Sequence, residues 1–440
     1  MKIVQILPAL KEGGVETGTI DLSLSLKARG HEVTVISNGG TGVKLLDQNG
    51  IRHLQWPVHK KNPWTIYRMS RKLARHIQKN SPDIIHARSR VPAWITYFAA
   101  LKTKTRWVTT CHGYYQTHFW SRVMGWGDAV IVPSRTIEKH MREDFNVSED
   151  KIVRIPRGVD LEKYPFEQRK ANQKPIIAMI GRLTPIKGHK DFLKALSLLK
   201  KERGDFSAWL IGGNTEDNRY YEDLIKMRDS LGLKNDVDFL GHQEDIADLL
   251  KKIDLLVFPS TYPESFGRVV IEAQAAGVPV VASRLGGAQE IIEEGITGHL
   301  FQAGHPFELA AAIQRVFSNR EETIRMTFRA RLKVEKEFSK SQMVEKTEAI
   351  YLKLFRKKIL IFKLSSLGDL ILISPSVRAI RKHFPDGKIT LITDFAAKEM
   401  VELCPYLDDI LYIDKKAYWK NLPQIIKKLS SHAFDISIDF

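Results

Sequence analysis

Leu255-Leu256-Val257-Phe258, followed after a short loop by Pro263-Glu264-Ser265-Phe266-Gly267-Arg268-Val269-Val270-Ile271-Glu272-Ala273, is the segment whose reading decides the fold. The first four residues are apolar without alternation, as in a strand covered on both faces, and the later ones open a helix that ends near Ala276-Gly277. Strand, loop and helix in that order form the repeating unit of a parallel sheet. Working outward, Ile176 to Ile180, Ala208 to Ile211, Val237 to Leu240 and Val278 to Ala282 read as companion strands of one sheet. Ile3 to Leu7, Val33 to Ile36, Ile84 to His86, Trp107 to Thr110 and Ala129 to Val132 read as another. Between the two sets lies a charged stretch, Leu161 to Lys174, with Pro165 inside it and Pro175 after it. The reading predicts an α/β protein with two Rossmann-like, doubly wound parallel-sheet domains, residues 1–165 and 175–340, facing a cleft. Helices 341–356 return toward the first domain, and a partial third α/β segment, 357–440, starts with Ile359-Leu360-Ile361-Phe362. Ligands of open parallel sheets bind beyond the carboxyl ends of the strands, so function is expected in the cleft.

The chain has 440 residues, 43% of them apolar and 27% charged, enough to bury large cores without disulfides or metals. Its two cysteines, Cys111 and Cys404, have no metal-ligand or redox spacing and read as ordinary buried thiols of a reducing compartment. The opening run up to Pro8 is too short for a signal sequence, and no later run approaches the roughly 20 apolar residues of a spanning helix. A cytoplasmic protein is expected. Its net charge of +17 is uneven: residues 1–170 hold 28 Lys and Arg against 15 Asp and Glu, whereas 171–355 hold 26 of each. A basic first domain of this kind attracts anionic surfaces, so peripheral attachment to the inner face of the membrane is a further expectation. No nucleic-acid motif accompanies the charge, and nucleic acid is not an expected partner.

Three groups of residues carry chemistry. Glu264 and Glu272, eight positions apart, would be separated by roughly 12 Å if both were helical, too far for a glycosidase carboxylate pair, so separate tasks are expected. Ser265, Phe266 and Gly267 precede the helix, where free backbone amides favour a diphosphate. Ile180-Gly181-Arg182-Leu183-Thr184-Pro185-Ile186-Lys187-Gly188 places Arg182 and Lys187 just beyond a strand, as fixed cations for a departing diphosphate, an arrangement that needs no metal or cofactor. In the first domain Gly13-Gly14 follows the first strand, without the third glycine of a dinucleotide fingerprint, and His112 ends the fifth strand in Thr110-Cys111-His112-Gly113, within reach of sugar or acceptor.

Together these segments resemble glycosyltransferase family 4 over about residues 1–355, with Ile155-Pro156-Arg157-Gly158-Val159-Asp160 as a further mark. The resemblance implies the two-domain GT-B architecture and transfer of a sugar from a nucleoside diphosphate with retention at the anomeric carbon. It implies that Arg182 and Lys187 hold the diphosphate, Glu264 meets the donor sugar, Glu272 meets the ribose, the Phe266-Gly267 amides assist and His112 lines the reacting centre. The first domain would take the acceptor, and its charge suits a glycan or glycolipid on an anionic surface, such as a lipopolysaccharide-core precursor. Many family members have Asn where this chain has Arg157.

The tail from Lys358 to Asp394, with Lys363-Leu364-Ser365-Ser366-Leu367-Gly368-Asp369 and Pro385-Asp386, resembles the start of a family 9 heptosyltransferase, in which the residue matching Asp369 is the general base. It lacks a nucleotide-binding half, so the tail is expected to be catalytically inert, either a truncated piece of a fused two-transferase protein, the reading favoured, or the remnant of one. Competing readings are a nucleotide-sugar epimerase or phosphorylase of the same fold, against which the Glu264 and Glu272 segment speaks, and a non-catalytic nucleotide-sugar or membrane binder.

Overall fold

Strands rich in Val, Ile and Leu with no polar face must be covered by helices on both sides, and they pair in parallel because each returns through a helix. The computed structural model, which describes residues 1–11, 13–169, 172–213, 218–364, 367–413 and 434–440, realises this three times. The first sheet comprises β1 (Lys2–Ile6), β2 (Glu32–Ser37), β3 (Arg52–Gln55), β4 (Ile84–Ala87), β5 (Trp107–Thr110), β6 (Ala129–Val132) and β7 (Ile152–Arg154), in the spatial order β3-β2-β1-β4-β5-β6-β7. The second comprises β8 (Ile176–Ile180), β9 (Ser207–Ile211), β10 (Val237–Gly241), β11 (Leu255–Phe258), β12 (Val280–Ser283) and β13 (His299–Phe301), in the order β10-β9-β8-β11-β12-β13. All pairings are parallel, for example Ile3 with Val33 and Ile84, or Leu256 with Ala178 and Val280. Both sheets belong to one compact unit, Met1–Glu348.

Strand order reverses between β1 and β4 in the first sheet and between β8 and β11 in the second. At such a switch point the neighbouring crossovers leave on opposite faces, which opens a crevice at the carboxyl ends. The loops after β1, β4, β8 and β11 are therefore the ones the topology reserves for ligands. The helices after β13 run Pro306–Ser318, Arg320–Glu337 and Lys340–Phe355. The third of them reaches the first domain, where Glu348 accepts from Arg29 Nη1 at 2.6 Å and contacts His31 Nε2 at 2.6 Å.

The unit Ala349–Phe440 carries the third sheet: β14 (Lys358–Phe362), β15 (Lys388–Asp394), β16 (Asp409–Ile413) and β17 (Ile436–Asp439), in the parallel order β16-β15-β14-β17. Its core gathers Ile359, Ile361, Val377, Ile389 and Leu391. Asp369 lies in the first turn of the helix Leu367–Leu372, and Ser365 and Ser366 fall outside the described residues.

Several expectations need correction. The strand predicted to begin at Val278 starts at Val280, because Pro279 has no N–H to give to a ladder; its carbonyl accepts from Leu256 N instead. β3, β7 and β13 escaped a reading based on apolar runs because they are short, β3 and β7 only partly buried. Cys111 is buried as expected, whereas Cys404 is half-buried.

Two strand ends approach so closely that only glycine fits. Gly188 has φ +81°, and a Cβ there would lie 1.9 Å from the Pro259 carbonyl oxygen, so the loop after β8 rests directly on the end of β11. Gly188→Ala combines a left-handed backbone with a backbone clash and is expected to cost about 3 kcal/mol. A urea midpoint equal to that of the unmodified chain would show that the two loops do not meet in this way.

Candidate active site in the interdomain cleft

The site is assembled from the switch-point loops. After β8 the chain makes a short turn, Pro185–Lys187, in which Lys187 N donates to Thr184 O at 3.0 Å. Thr261 N donates to Ile186 O at 2.9 Å, which straps this turn to the loop after β11. Lys187 Nζ donates to both Glu264 oxygens at 2.7 Å, and Ser260 Oγ also donates to Glu264 Oε1. From the other side, Gly287 N donates to Glu264 O at 2.9 Å, and a Cβ at Gly286 would lie 2.5 Å from Glu264 N. The ammonium and carboxylate are thus held at their backbones as well as to each other, with side chains 18% and 20% exposed. A screened pair of this kind interacts more strongly than a surface pair and still lies within reach of a ligand.

Glu264 precedes the helix Arg268–Ala275, whose N-cap is Gly267 at φ +102°. The premise that both glutamates are helical, and the separation of roughly 12 Å drawn from it, therefore fail. Glu272 lies inside that helix, buried, and accepts from Arg268 Nε at 2.8 Å. Arg268 Nη2 also reaches Asp21 Oδ2 at 3.4 Å, on the helix Gly14–Ala28 of the first domain. Burial pushes the Glu272 carboxyl above the usual carboxylate range, and Arg268 pulls it back.

On the first-domain side, His112 follows β5 and Arg157 follows β7. Arg157 Nη2 contacts His112 Nδ1 at 2.5 Å, while His112 Nε2 is buried with no partner. Glu16, in the first turn of the helix after Gly13-Gly14, is pushed up by burial; Arg157, Arg182 and Arg88 oppose the shift, Arg182 from the second domain. A Cβ at Gly13 would lie 2.5 Å from Glu16 Oε2, whereas one at Gly14 would meet nothing within 4 Å.

Further contacts bridge the cleft. The Tyr114 and Tyr262 rings meet edge-on at 6.0 Å. Glu290 accepts from Arg135 N at 2.7 Å and Thr136 N at 2.9 Å, capping the helix Arg135–Glu143 from the opposite domain.

The structure therefore brings Lys187 and Glu264 into direct contact, places Glu272 with Arg268 and Asp21, and places His112 with Arg157. Arg182 is exposed. Sequence reasoning missed Arg268, Asp21, Glu16 and Ser260 as members of the site. The Arg268 and Glu272 spacing of one helical turn was a readable signal; the Asp21 partnership, 247 residues away, carried none.

Two parallel α/β sheets facing one another, with cations and a carboxylate at the switch point of the second, define a GT-B glycosyltransferase. The family 4 glycosyltransferase model matches residues 12–163, and the model of glycosyl transferases group 1 matches residues 160–333. The crystal structure of a glycosyltransferase from Rickettsia africae ESF-5 aligns with a TM-score of 0.74 at 34% identity, covering 80% of this chain and 98% of that one. D-inositol 3-phosphate glycosyltransferase of Nocardia farcinica is 30% identical over 222 residues, 48% of this chain, which spans only about half (49%) of that relative's length. N-acetyl-alpha-D-glucosaminyl L-malate synthase of Bacillus anthracis is 26% identical over 79% of this chain and 96% of its own length. The chain belongs to the glycosyltransferases, with a family 4 first domain and a group 1 second domain.

Removing the guanidinium that faces Glu272 leaves a buried carboxyl without its partner. Arg268→Met is expected to cost about 3 kcal/mol near neutral pH. The folded-state pKa of Glu272 is then still further above its unfolded value, so protonation favours the folded variant and the deficit shrinks as pH falls. Urea midpoints near pH 7.5 and 5 check this; a deficit independent of pH would remove the charge from the explanation.

Proposed function

We propose that the protein transfers a sugar, with retention, from a nucleoside-diphosphate sugar to an anionic acceptor carried at the cytoplasmic face of a membrane. The observation that carries the reading is the Lys187 and Glu264 pair at the switch point of the second sheet, with Arg182 on the same loop after β8 as Lys187. A diphosphate entering this loop offers Lys187 a stronger partner than one carboxylate, and Arg182 adds a second cation. Glu264, released from Lys187, accepts from donor-sugar hydroxyls. Glu272, already paired to Arg268, accepts from the ribose, and the Ser265, Phe266 and Gly267 segment lies against phosphate. As the bond from the anomeric carbon to the diphosphate oxygen breaks, negative charge grows where the two cations stand. The acceptor oxygen bonds to that carbon on the same face, and its proton passes to the leaving phosphate oxygen. No metal or cofactor is needed in this scheme, since Arg182 and Lys187 supply the positive charge.

Charge and surface chemistry support an acceptor on an anionic surface. Residues 48–127 contain 14 Lys and Arg and one acid, Asp83. The helix Pro63–Asn80 exposes Trp64, Tyr67, Arg68, Arg71, Lys72 and Arg75 on one side, and Phe119 and Trp120 are exposed on the helix Phe119–Arg122. Basic residues interleaved with exposed aromatics suit a lipid interface. No helix among the described residues is long and apolar enough to cross a membrane. Two relatives carry an anion in their names, inositol 3-phosphate and malate; here a lipopolysaccharide-core precursor is the acceptor proposed. For the tail, the proposal of an inert segment similar to a family 9 heptosyltransferase rests on the sequence from Lys363 to Asp369 alone.

Mass spectrometry of reactions with UDP-, GDP- and ADP-sugars, with and without a lipopolysaccharide-core acceptor, is expected to show release of one nucleoside diphosphate. Lys187→Ala, with its fold intact, should abolish that release; unchanged turnover would remove Lys187 from the donor site. For the membrane, Arg71→Gln, Lys72→Gln and Arg75→Gln together are expected to weaken co-sedimentation with anionic vesicles about 100-fold, at about 1 kcal/mol per basic residue. Equal binding to neutral vesicles would count against electrostatic docking.

A further inference from the structure

A guanidinium has only N–H donors, so the nitrogen it touches must accept. Arg157 Nη2 lies 2.5 Å from His112 Nδ1, which places the imidazole proton on Nε2. That Nε2 is shielded from solvent and has no hydrogen-bond partner. A buried N–H without an acceptor is costly, and a ligand oxygen removes the cost.

Arg157 is held in place for this contact. Ile155 N donates to Val132 O at 2.9 Å, and Gly158 is pressed against the chain at Lys340, where an added Cβ would lie 2.7 Å from Lys340 Cα. The guanidinium end lies over Gly18 of the helix Gly14–Ala28; a Cβ there would come within 2.8 Å of Arg157 Nη1. Among the described residues no carboxylate lies within ion-pair distance of Arg157, and Glu16 acts on it only over a longer range.

We propose that Arg157 is a positioning residue that locks His112 as a neutral Nε2–H tautomer, making His112 a hydrogen-bond donor to a substrate oxygen rather than a proton acceptor. The proposal rests on the reading of the cleft as a transferase site, and it assigns a role to the arginine standing where many family members have asparagine. Burial, and then Arg157, Arg88 and His86, hold the imidazole well below its ordinary pKa, which favours the same neutral form. Tyr115 and Glu16 also act on the guanidinium: both favour its charged form, against the burial and the Arg88 and Arg268 charges that lower its pKa to about 9. With Nε2 already protonated and Nδ1 occupied, His112 has no free lone pair for the acceptor's proton, which therefore goes to the leaving phosphate oxygen.

The test is nitrogen-15 NMR of the His112 ring together with kinetics on the full chain. In the unmodified protein Nδ1 should be unprotonated and Nε2 protonated, unchanged from about pH 5 to 8, a window in which an unperturbed histidine titrates. Arg157→Ala should replace the single tautomer by a mixture of Nδ1–H and Nε2–H forms and lower kcat by about tenfold or more with donor KM little changed, the loss expected of one aligned hydrogen bond. Arg157→Lys, which restores a donor and a charge, should recover the tautomer and much of kcat. Gly18→Ala displaces the guanidinium without deleting it and should shift the tautomer as Arg157→Ala does, covering the case in which that variant fails to fold. A proton on Nδ1 in the unmodified protein, or an unchanged ring signal and kcat in the Arg157→Ala and Gly18→Ala variants, overturns the proposal. Because the ring signal is read without turnover, a correct tautomer in a protein that transfers no sugar would fault the functional reading alone.

Discussion

The close approach of the loop after β8 to the loop after β11 is the constraint on which the rest of the site depends. Gly188 permits it at the backbone, Thr261 straps it, and Lys187 with Glu264 closes it through side chains. Both loops leave the sheet at its switch point, where the crossovers diverge and a ligand finds room. Fixing the backbones of cation and carboxylate before a substrate arrives lowers the reorganisation needed during reaction, the property that makes charged groups effective in a cleft.

Opposite this pair the first domain presents groups whose charges are balanced over distance. Glu16 lies within the electrostatic reach of Arg157, Arg88 and Arg182, and Arg268 acts on Arg157 while pairing with Glu272 and Asp21. Residues from both sheets thus form one electrostatic system. The contacts of Glu290 with Arg135 and Thr136, and of Tyr114 with Tyr262, lie at the same interface.

Much of this architecture was legible in the chain. Nine of the ten strands expected in the first two sheets coincide with observed strands to within a residue at each end, because parallel strands buried on both faces carry unbroken apolar runs; only Val278 to Ala282 was displaced further, by Pro279. The missed strands β3, β7 and β13 lie at sheet edges or are only three or four residues long, so neither periodicity nor composition marks them. Arg182, Lys187, Glu264 and His112 were expected just after strands and stand there, Arg182 and Lys187 after β8, Glu264 after β11 and His112 after β5. Their partners were less visible: Ser260 looked like a loop serine, and Arg157 like a tolerated change in a motif.

What the sequence by itself determined was the alternation of strand and helix, the division into two sheets, the position of the polar clusters at strand ends and the concentration of basic charge in the first domain. Each depends on residues close together in the chain, where steric and hydrophobic preferences act locally. Only the tertiary structure decided that Glu264 stands outside the helix, that Lys187 grips it, that Asp21 meets Arg268 and that Arg157 holds His112 in one tautomer. These contacts join residues from 45 to 247 positions apart. Nothing local specifies such pairs; they form because two sheets and a returning helix bring loop ends into a shared, desolvated space where an unpaired charge or polar group is costly.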